Sequence, residues 1–371
     1  MDNRDEIIKT QLEVISDLIN NSMRRIGDDF WGTPAAPQKI DQPKPEKNAP
    51  AAAKQEGPKP EEQLPPPEDM EALKKELNEY IGLSGIKKEV TNLINMVTIH
   101  KLRKEHSLPT VEMSLHMVFT GNPGTGKTMI ARLMSRIYRS LGILSKGQLV
   151  EVDRSGLVAG YVGQTAQKTT EVIKKALGGV LFVDEAYALK STSENDFGQE
   201  AIETLLKAME DNRDDLVVIV AGYDGLMEQF IHSNPGLESR FNRYLHFDDY
   251  SLDEMCEILD MQLKKNSYRL DEEAKAAARD YISAANTHSI SFGNARGVRN
   301  IFERTLVAQS NRLAAESEMT VEKLTTIAKA DIETARGEDA KLNEALRKEK
   351  ELVENTQKMI DELKNLAENE T

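Results

Sequence analysis

Between residues 115 and 250 the apolar positions alternate between short continuous runs and longer stripes at helical spacing. Leu115 to Thr120, Leu149 to Asp153, Val180 to Asp184, Leu216 to Ala221 and Tyr244 to Phe247 are short apolar runs, the pattern of strands buried on both faces. Met129 to Tyr138, Lys168 to Leu177 and Glu200 to Glu210 carry their apolar residues on one side of a 3.6-residue period, which predicts amphipathic helices between the strands. Upstream, Glu79 to Ile86 leads into a helix with Val90, Leu93, Ile94 and Val97 on one face. Strand–helix alternation of this kind predicts an α/β fold in which these strands form a mainly parallel sheet covered by helices on both faces. After Tyr250 the strand signals stop and helical periodicity continues.

Both ends of the chain carry further helical stripes. Ile8, Leu12, Ile15, Ile19 and Ile26 repeat at spacings of four and three, predicting an N-terminal amphipathic helix. That helix either docks on the chain's own body or captures a partner in a groove or coiled coil. Leu346, Val353, Ile360 and Ala367 lie seven apart, with Leu342, Glu349, Thr356 and Leu363 interleaved. Half of the second row is polar, so the seam suits a docked helix or hairpin better than an independent coiled coil. Ten of the thirteen prolines fall between residues 33 and 69, where fixed φ values and missing donors leave a semi-extended tether, on the order of 100 Å when fully stretched. Five segments are therefore expected: an N-terminal interaction helix (1–32), a disordered linker (33–69), an α/β subdomain (70–248), a helical subdomain (249–336) and a charged C-terminal helix (337–371).

The chemistry begins where the first strand ends. Gly121-Asn122-Pro123-Gly124-Thr125-Gly126-Lys127-Thr128 fits G-x-x-x-x-G-K-[ST] at every fixed position, between a strand and a helix. Glycines let the backbone curl so that successive N–H groups point at phosphate oxygens, and the positive end of the following helix faces the same way. Lys127 can reach the β- and γ-phosphates, and the Thr128 hydroxyl can ligate Mg²⁺. With 56 residues between it and Lys127, Asp184 follows Val180-Leu181-Phe182-Val183 and precedes Glu185. A central strand thus carries two carboxylates to its C-terminal edge, where ligands bind in α/β sheets. Asp184 can hold Mg²⁺, and Glu185 can orient and deprotonate a water.

With these motifs the chain resembles the AAA+ ATPases, within them the group containing stage V sporulation protein K, the red-type rubisco activase and the cytosolic ATPase of type VII secretion. The resemblance rests on Gly121–Thr128, Asp184–Leu189, Glu200–Leu206, Ala221-Gly222-Tyr223, Asn234–Phe241 and Phe292–Gly297, and spans roughly Glu71 to Arg336. It implies an AAA+ P-loop module whose fully parallel five-stranded sheet with flanking helices is followed by a helical lid, ATP and Mg²⁺ as cofactors, and a homo-oligomeric ring, usually of six subunits. It implies nucleotide contacts from Ile81 and Gly82 on the adenine side. On the phosphate side it implies contacts from Gly121, Asn122, Pro123, Gly124, Thr125, Gly126, Lys127, Thr128 and Met129, with Thr128 and Asp184 on the metal. Catalytic roles fall to Glu185 as base, Arg240 as arginine finger toward the neighbouring subunit (Arg243 in reserve) and Arg296 as lid sensor (Arg299 in reserve). The polar sensor of the fourth strand is either Tyr223 or absent. Tyr161, Val162 and Gly163 resemble the pore loop of polypeptide-threading rings, although Tyr161 and Val162 equally suit the edge of a core.

Charge and composition narrow the partners. A net charge of −14, with no basic tract interleaved with aromatics, argues against a nucleic-acid motor. One cysteine, Cys256, placed at core spacing with Leu252, Met255 and Leu259, fits a reducing compartment. Six scattered histidines give no ligand spacing. No apolar run approaches a membrane-spanning length and the first residues lack a signal-peptide pattern, so a soluble cytoplasmic protein is expected. Two functions remain open. One is a motor that remodels or threads a protein client. The other is a slowly hydrolysing, nucleotide-gated scaffold that recruits partners or adaptors through its terminal helices.

Overall fold

The computed structural model describes residues 65–111, 113–161, 163–190, 196–316 and 319–369. The N-terminal helix expected at 1–32 and the linker up to residue 64 lie outside them. Strands β1 (Met117–Gly121), β2 (Leu149–Val152), β3 (Val180–Val183), β4 (Val217–Gly222) and β5 (Arg243–Phe247) form one parallel sheet in the order β2-β3-β4-β1-β5. The central three strands are buried on both faces, as their unbroken apolar runs require.

Alternation of side chains across these strands feeds two separate cores. Met117, Phe119, Val180, Phe182, Ile219 and Phe247 face helices α1 (Met70–Glu79), α2 (Ser84–Glu105) and α3 (Lys127–Ser140). Val118, Leu181, Val183, Val218 and Val220 face the other side. There they meet α4 (Arg154–Leu157), α5 (Thr165–Ala176), α6 (Gly198–Asp211), α7 (Asp224–Ile231) and α8 (Pro235–Arg240). Short helices take their starts from local caps: Asp153 and Asn234 accept from Gly156 and Gly236, and Pro235 sits in the first turn of α8.

A third core belongs to the helices that follow the sheet. α9 (Leu252–Lys265) starts with a capping box between Ser251 and Glu254. α10 (Glu272–Ala285), the single turn α11 (Ser289–Phe292), α12 (Ala295–Ala314), α13 (Val321–Thr325) and the first turns of α14 (Lys329–Asn369) pack around Met255, Tyr281, Ile282, Val298, Ile301 and Ile332. Two features differ from the sequence expectation. A two-residue parallel pair, β6 (Arg269–Leu270) with β7 (Thr326–Ile327), lies inside this helical region, too short to leave a strand pattern. Cys256 stands half-buried at the rim of the third core rather than within it. α14 runs unbroken from the core outward, and the side chains of Leu342, Leu346, Leu352 and Val353 on it are exposed. Among the described residues no helix is long and apolar enough to cross a membrane.

His116 closes the sheet at its N-terminal edge. Its Nδ1 accepts the Val218 N–H at 3.0 Å, and its ring packs edge-on against Phe241. Burial lowers its pKa to about 4, with the nearby Arg240 charge adding to the effect. The folded state therefore holds this imidazole neutral, while the unfolded chain protonates it below pH 6.5. That contribution to stability is complete above pH 6.5 and is lost as pH falls toward 4. Between pH 7 and 5 the parent is expected to lose on the order of 2 kcal/mol relative to a His116→Gln variant, as read from urea denaturation at each pH.

Candidate active site

The loop between β1 and α3 is curled by Gly121, Gly124 and Gly126, with φ of 134°, 72° and 97°. These left-handed values come at little cost only to a residue without Cβ. At Gly124 the demand is also steric, because a Cβ there would collide with the Gly293 carbonyl of the helical subdomain. Lys127 opens α3 and turns back over the loop, its Nζ donating to the carbonyls of Gly121 at 2.8 Å and Asn122 at 2.7 Å. Burial lowers its pKa to about 8, opposed by Asp184, Asp224 and Asp249 and assisted by Arg296. Thr128 follows, half-buried, and Met129 is buried beneath Gly126. Gly82 lies against Tyr250 and Glu254, and the Leu83 side chain and Tyr250 hydroxyl also approach Gly126. Ile81 packs on the third core. The segment expected on the adenine side thus lies where the α/β and helical parts meet, next to the glycine loop.

Asp184 and Glu185 leave the C-terminal end of β3. Glu185 has φ 49° and ψ 41°, and its N–H donates to Asp184 Oδ1 at 3.0 Å. This left-handed turn leaves the Glu185 carboxylate exposed at the sheet edge. Burial first, and the nearby Glu185 charge next, push the Tyr187 phenol pKa up. The Tyr187 ring lies 6.0 Å from that of Tyr223 and fits because residue 222 is glycine, where a Cβ would sit 2.7 Å from the ring. Tyr223 itself is raised in pKa by burial and by Glu185, and it feels Arg296 and Asp184. Tyr223, left open by the sequence, therefore stands inside the same constellation.

The helical subdomain closes the site from above. Arg296 lies in the first turn of α12, its backbone N beside Gly124, whereas Arg299 pairs with Glu303 at 2.7 Å along the helix. The Ala295 N–H donates to the Gly124 carbonyl at 3.3 Å, and the Tyr250 hydroxyl donates to the Thr125 carbonyl at 3.4 Å. Asp249 accepts from Asn122 Nδ2 through both oxygens, at 3.0 and 2.9 Å. Burial alone would raise its pKa, but hydrogen bonds from Ser289, Asn294 and Asn122 hold it below the ordinary carboxylate value. Neither Asp249 nor Asn294 was assigned a role from sequence; their meeting with the glycine loop is a tertiary contact with no local spacing to betray it.

Arg240 and its reserve Arg243 are the catalytic candidates that the fold does not bring to this loop. β1 and β5 run parallel from Met117 beside Arg243 to Gly121 beside Phe247, so Arg240 precedes the strands and the glycine loop follows them. Roughly 13 Å of strand separates the two edges. Arg240 pairs with Glu210 at 3.2 Å and reaches the Gly236 carbonyl, while Ser114 Oγ donates to its carbonyl. Arg243 is tied down by the Ser114 carbonyl at 3.0 Å and packs beside Met96. Tyr161 is 74 % exposed, with open space around Gly160 and Gly163; Val162 lies outside the described residues.

Comparison with known proteins agrees with this geometry. The model of the "ATPase family associated with various cellular activities (AAA)" matches residues 117–249, and that of the "AAA lid domain" matches 251–342. The chain belongs to the AAA+ ATPase family. It is 46 % identical over 261 residues to the chromosomal protein CbxX of Cupriavidus necator, covering 70 % of this chain and 82 % of that one. Stage V sporulation protein K of Bacillus subtilis is 40 % identical over 265 residues, covering 71 % and 82 %. Protein CbbX of Cereibacter sphaeroides is 44 % identical over 269 residues, covering 72 % and 87 %. The crystal structure of the FIGL-1 AAA domain in complex with ADP superposes with a TM-score of 0.50 at 18 % identity, over 69 % of this chain and 82 % of that one, a likeness of fold. As an AAA+ ATPase the chain binds and hydrolyses ATP, and the helices after Tyr250 form its lid.

ATP binding is expected to depend on the Lys127 charge. With its pKa lowered to about 8, the ammonium is intact below that pH and neutral above it, and a bound polyphosphate favours the charged form. ATP affinity should therefore weaken by up to about tenfold per pH unit above pH 8. Calorimetry at pH 8 in buffers of different ionisation heat should show about half a proton taken up on binding in the parent beyond that of a Lys127→Arg variant, and almost no such difference at pH 6.5.

Proposed function

We propose that this AAA+ ATPase assembles into a closed ring, each ATP lying between two protomers, and that hydrolysis drives work on a protein client. The observation that carries this reading is the opposed placement of Lys127 and Arg240 on the two edges of one parallel sheet. A guanidinium that cannot reach its own phosphate site can complete that of a neighbour stacked head to tail, an arrangement that closes as a ring. The Arg240–Glu210 pair is largely exposed on its carboxylate side, so exchanging it for a phosphate partner costs little.

Within one protomer the roles follow from the geometry. The glycine loop and Lys127 bind the β- and γ-phosphates. Lys127 already holds two carbonyl oxygens at hydrogen-bond distance, positions that phosphate oxygens suit better than carbonyls. Thr128 and Asp184 fit Mg²⁺, an oxygen-seeking ion that would neutralise phosphate charge. Glu185 accepts the proton of the attacking water, and Arg296 reports phosphate occupancy to the lid. Ile81 and Gly82 take the adenine side.

The exposed Tyr161 on its glycine-flanked loop supplies a broad aromatic face for gripping polypeptide without sequence preference. The exposed leucines of α14 keep a second reading alive, in which slow hydrolysis gates recruitment of an adaptor through that helix. Glu185→Gln is expected to lower hydrolysis by roughly 10²–10⁴-fold while retaining ATP. A motor in that form holds its client through affinity purification under ATP. Adding Tyr161→Ala should release the client while assembly mass and ATP binding stay unchanged. Undiminished retention would favour recruitment through α14, to be checked by deleting residues 337–371.

A further inference from the structure

The turn between α11 and α12 carries a residue that is unusual in both backbone and side chain. Asn294 has φ 52° and ψ −125°, a combination that glycine adopts readily and other residues adopt under strain. It is fully buried. It stands at the N-cap of α12, where an asparagine ordinarily accepts the first helical N–H groups, yet it makes no such bond.

Its carboxamide instead joins three elements. Oδ1 accepts the Tyr250 N–H at 3.0 Å, and Nδ2 donates to Asp249 Oδ1 at 2.8 Å and to the Pro123 carbonyl at 3.2 Å. The chemistry of the partners admits one orientation, since an N–H needs the oxygen and two oxygen acceptors need the NH₂. Glycine would relieve the backbone and aspartate would keep the shape, but neither would donate to Pro123.

We propose that Asn294 is a positioning residue for ATP hydrolysis, holding the glycine loop from its outer side and tying it to the lid that carries Arg296. A peptide unit is planar, so its carbonyl and the N–H that follows point in opposite directions. Nδ2 of Asn294 pins the Pro123 carbonyl outward, and the Ala295 N–H does the same for the Gly124 carbonyl. The N–H groups of Gly124 and Thr125 are thereby turned to the inner side, toward phosphate. Arg296 is two residues further along the same backbone, so a swing of the lid acts on the loop and on the sensor together. Asp249, held by both Asn122 and Asn294, keeps the adjoining Tyr250 in register with the loop. The inference rests on ATP hydrolysis and not on the ring or the client.

The test uses the full chain. Asn294→Gly should retain its helical circular dichroism and bind ATP about tenfold more weakly, with kcat also reduced. In the parent, ATP should slow amide exchange in 122–128 and in 293–299 together, and in the variant the second segment should no longer respond. Asn294→Asp should weaken ATP binding further, by placing two carboxylates face to face. Adding Asp249→Asn restores a donor–acceptor pair without restoring a donor to Pro123. The double variant should therefore recover thermal stability but not ATP affinity. A glycine variant with parental KM and kcat, a double variant that recovers affinity along with stability, or independent protection of the two segments in the parent would each overturn the proposal.

Discussion

All five strands of the sheet point the same way, and that constraint sorts the chemistry of this ATPase into two edges. The C-terminal edge collects Gly121–Thr128 after β1, Asp184 and Glu185 after β3, Tyr223 after β4 and Asp249 after β5. The N-terminal edge holds His116 and Arg240. An antiparallel strand anywhere in the middle would have moved one of these groups to the wrong side. The parallel register is itself maintained by strands apolar on both faces, which leaves no solvent-facing alternative for β1, β3 and β4.

The lid is the second constraint. It touches the glycine loop through backbone, amide and carboxylate groups rather than through apolar packing alone. Polar contacts of fixed direction can be made and broken with nucleotide state, whereas an apolar seam would favour one arrangement at all times. Strain concentrates in the same place. Among the described residues five non-glycine positions have positive φ, and three of them, Leu83, Glu185 and Asn294, border the candidate nucleotide site. Each such conformation costs on the order of 1–3 kcal/mol, and the surrounding hydrogen bonds hold it in place.

Much of this was legible in the linear chain, for identifiable reasons. The strands were readable because full burial on both faces leaves an unbroken apolar run. The glycine loop and the Asp184-Glu185 pair were readable as motifs because each is a handful of adjacent residues. Short helices such as Asp224–Ile231, the two-residue pairing of Arg269–Leu270 with Thr326–Ile327, and the rim position of Cys256 were not, since each is set by tertiary neighbours rather than by period. The same holds for Asp249, Tyr187 and Asn294, which acquire meaning only when three distant segments meet. Arg240 is a further case: it stands at the opposite edge of the sheet from its own glycine loop, and the role proposed for it toward a neighbouring protomer has no local spacing to betray it.

The proposed dependence on a second copy can be measured directly by mixing two inactive proteins. Lys127→Ala protomers cannot bind phosphate but carry an intact Arg240, and Arg240→Ala protomers have the converse defect. Random co-assembly at equal amounts places an intact loop against an intact arginine at about a quarter of the interfaces. ATPase activity is expected to rise on mixing toward that fraction of the parental value, and to vanish again on dilution. A mixture no more active than either variant alone, with co-assembly verified by mass, would contradict the shared site.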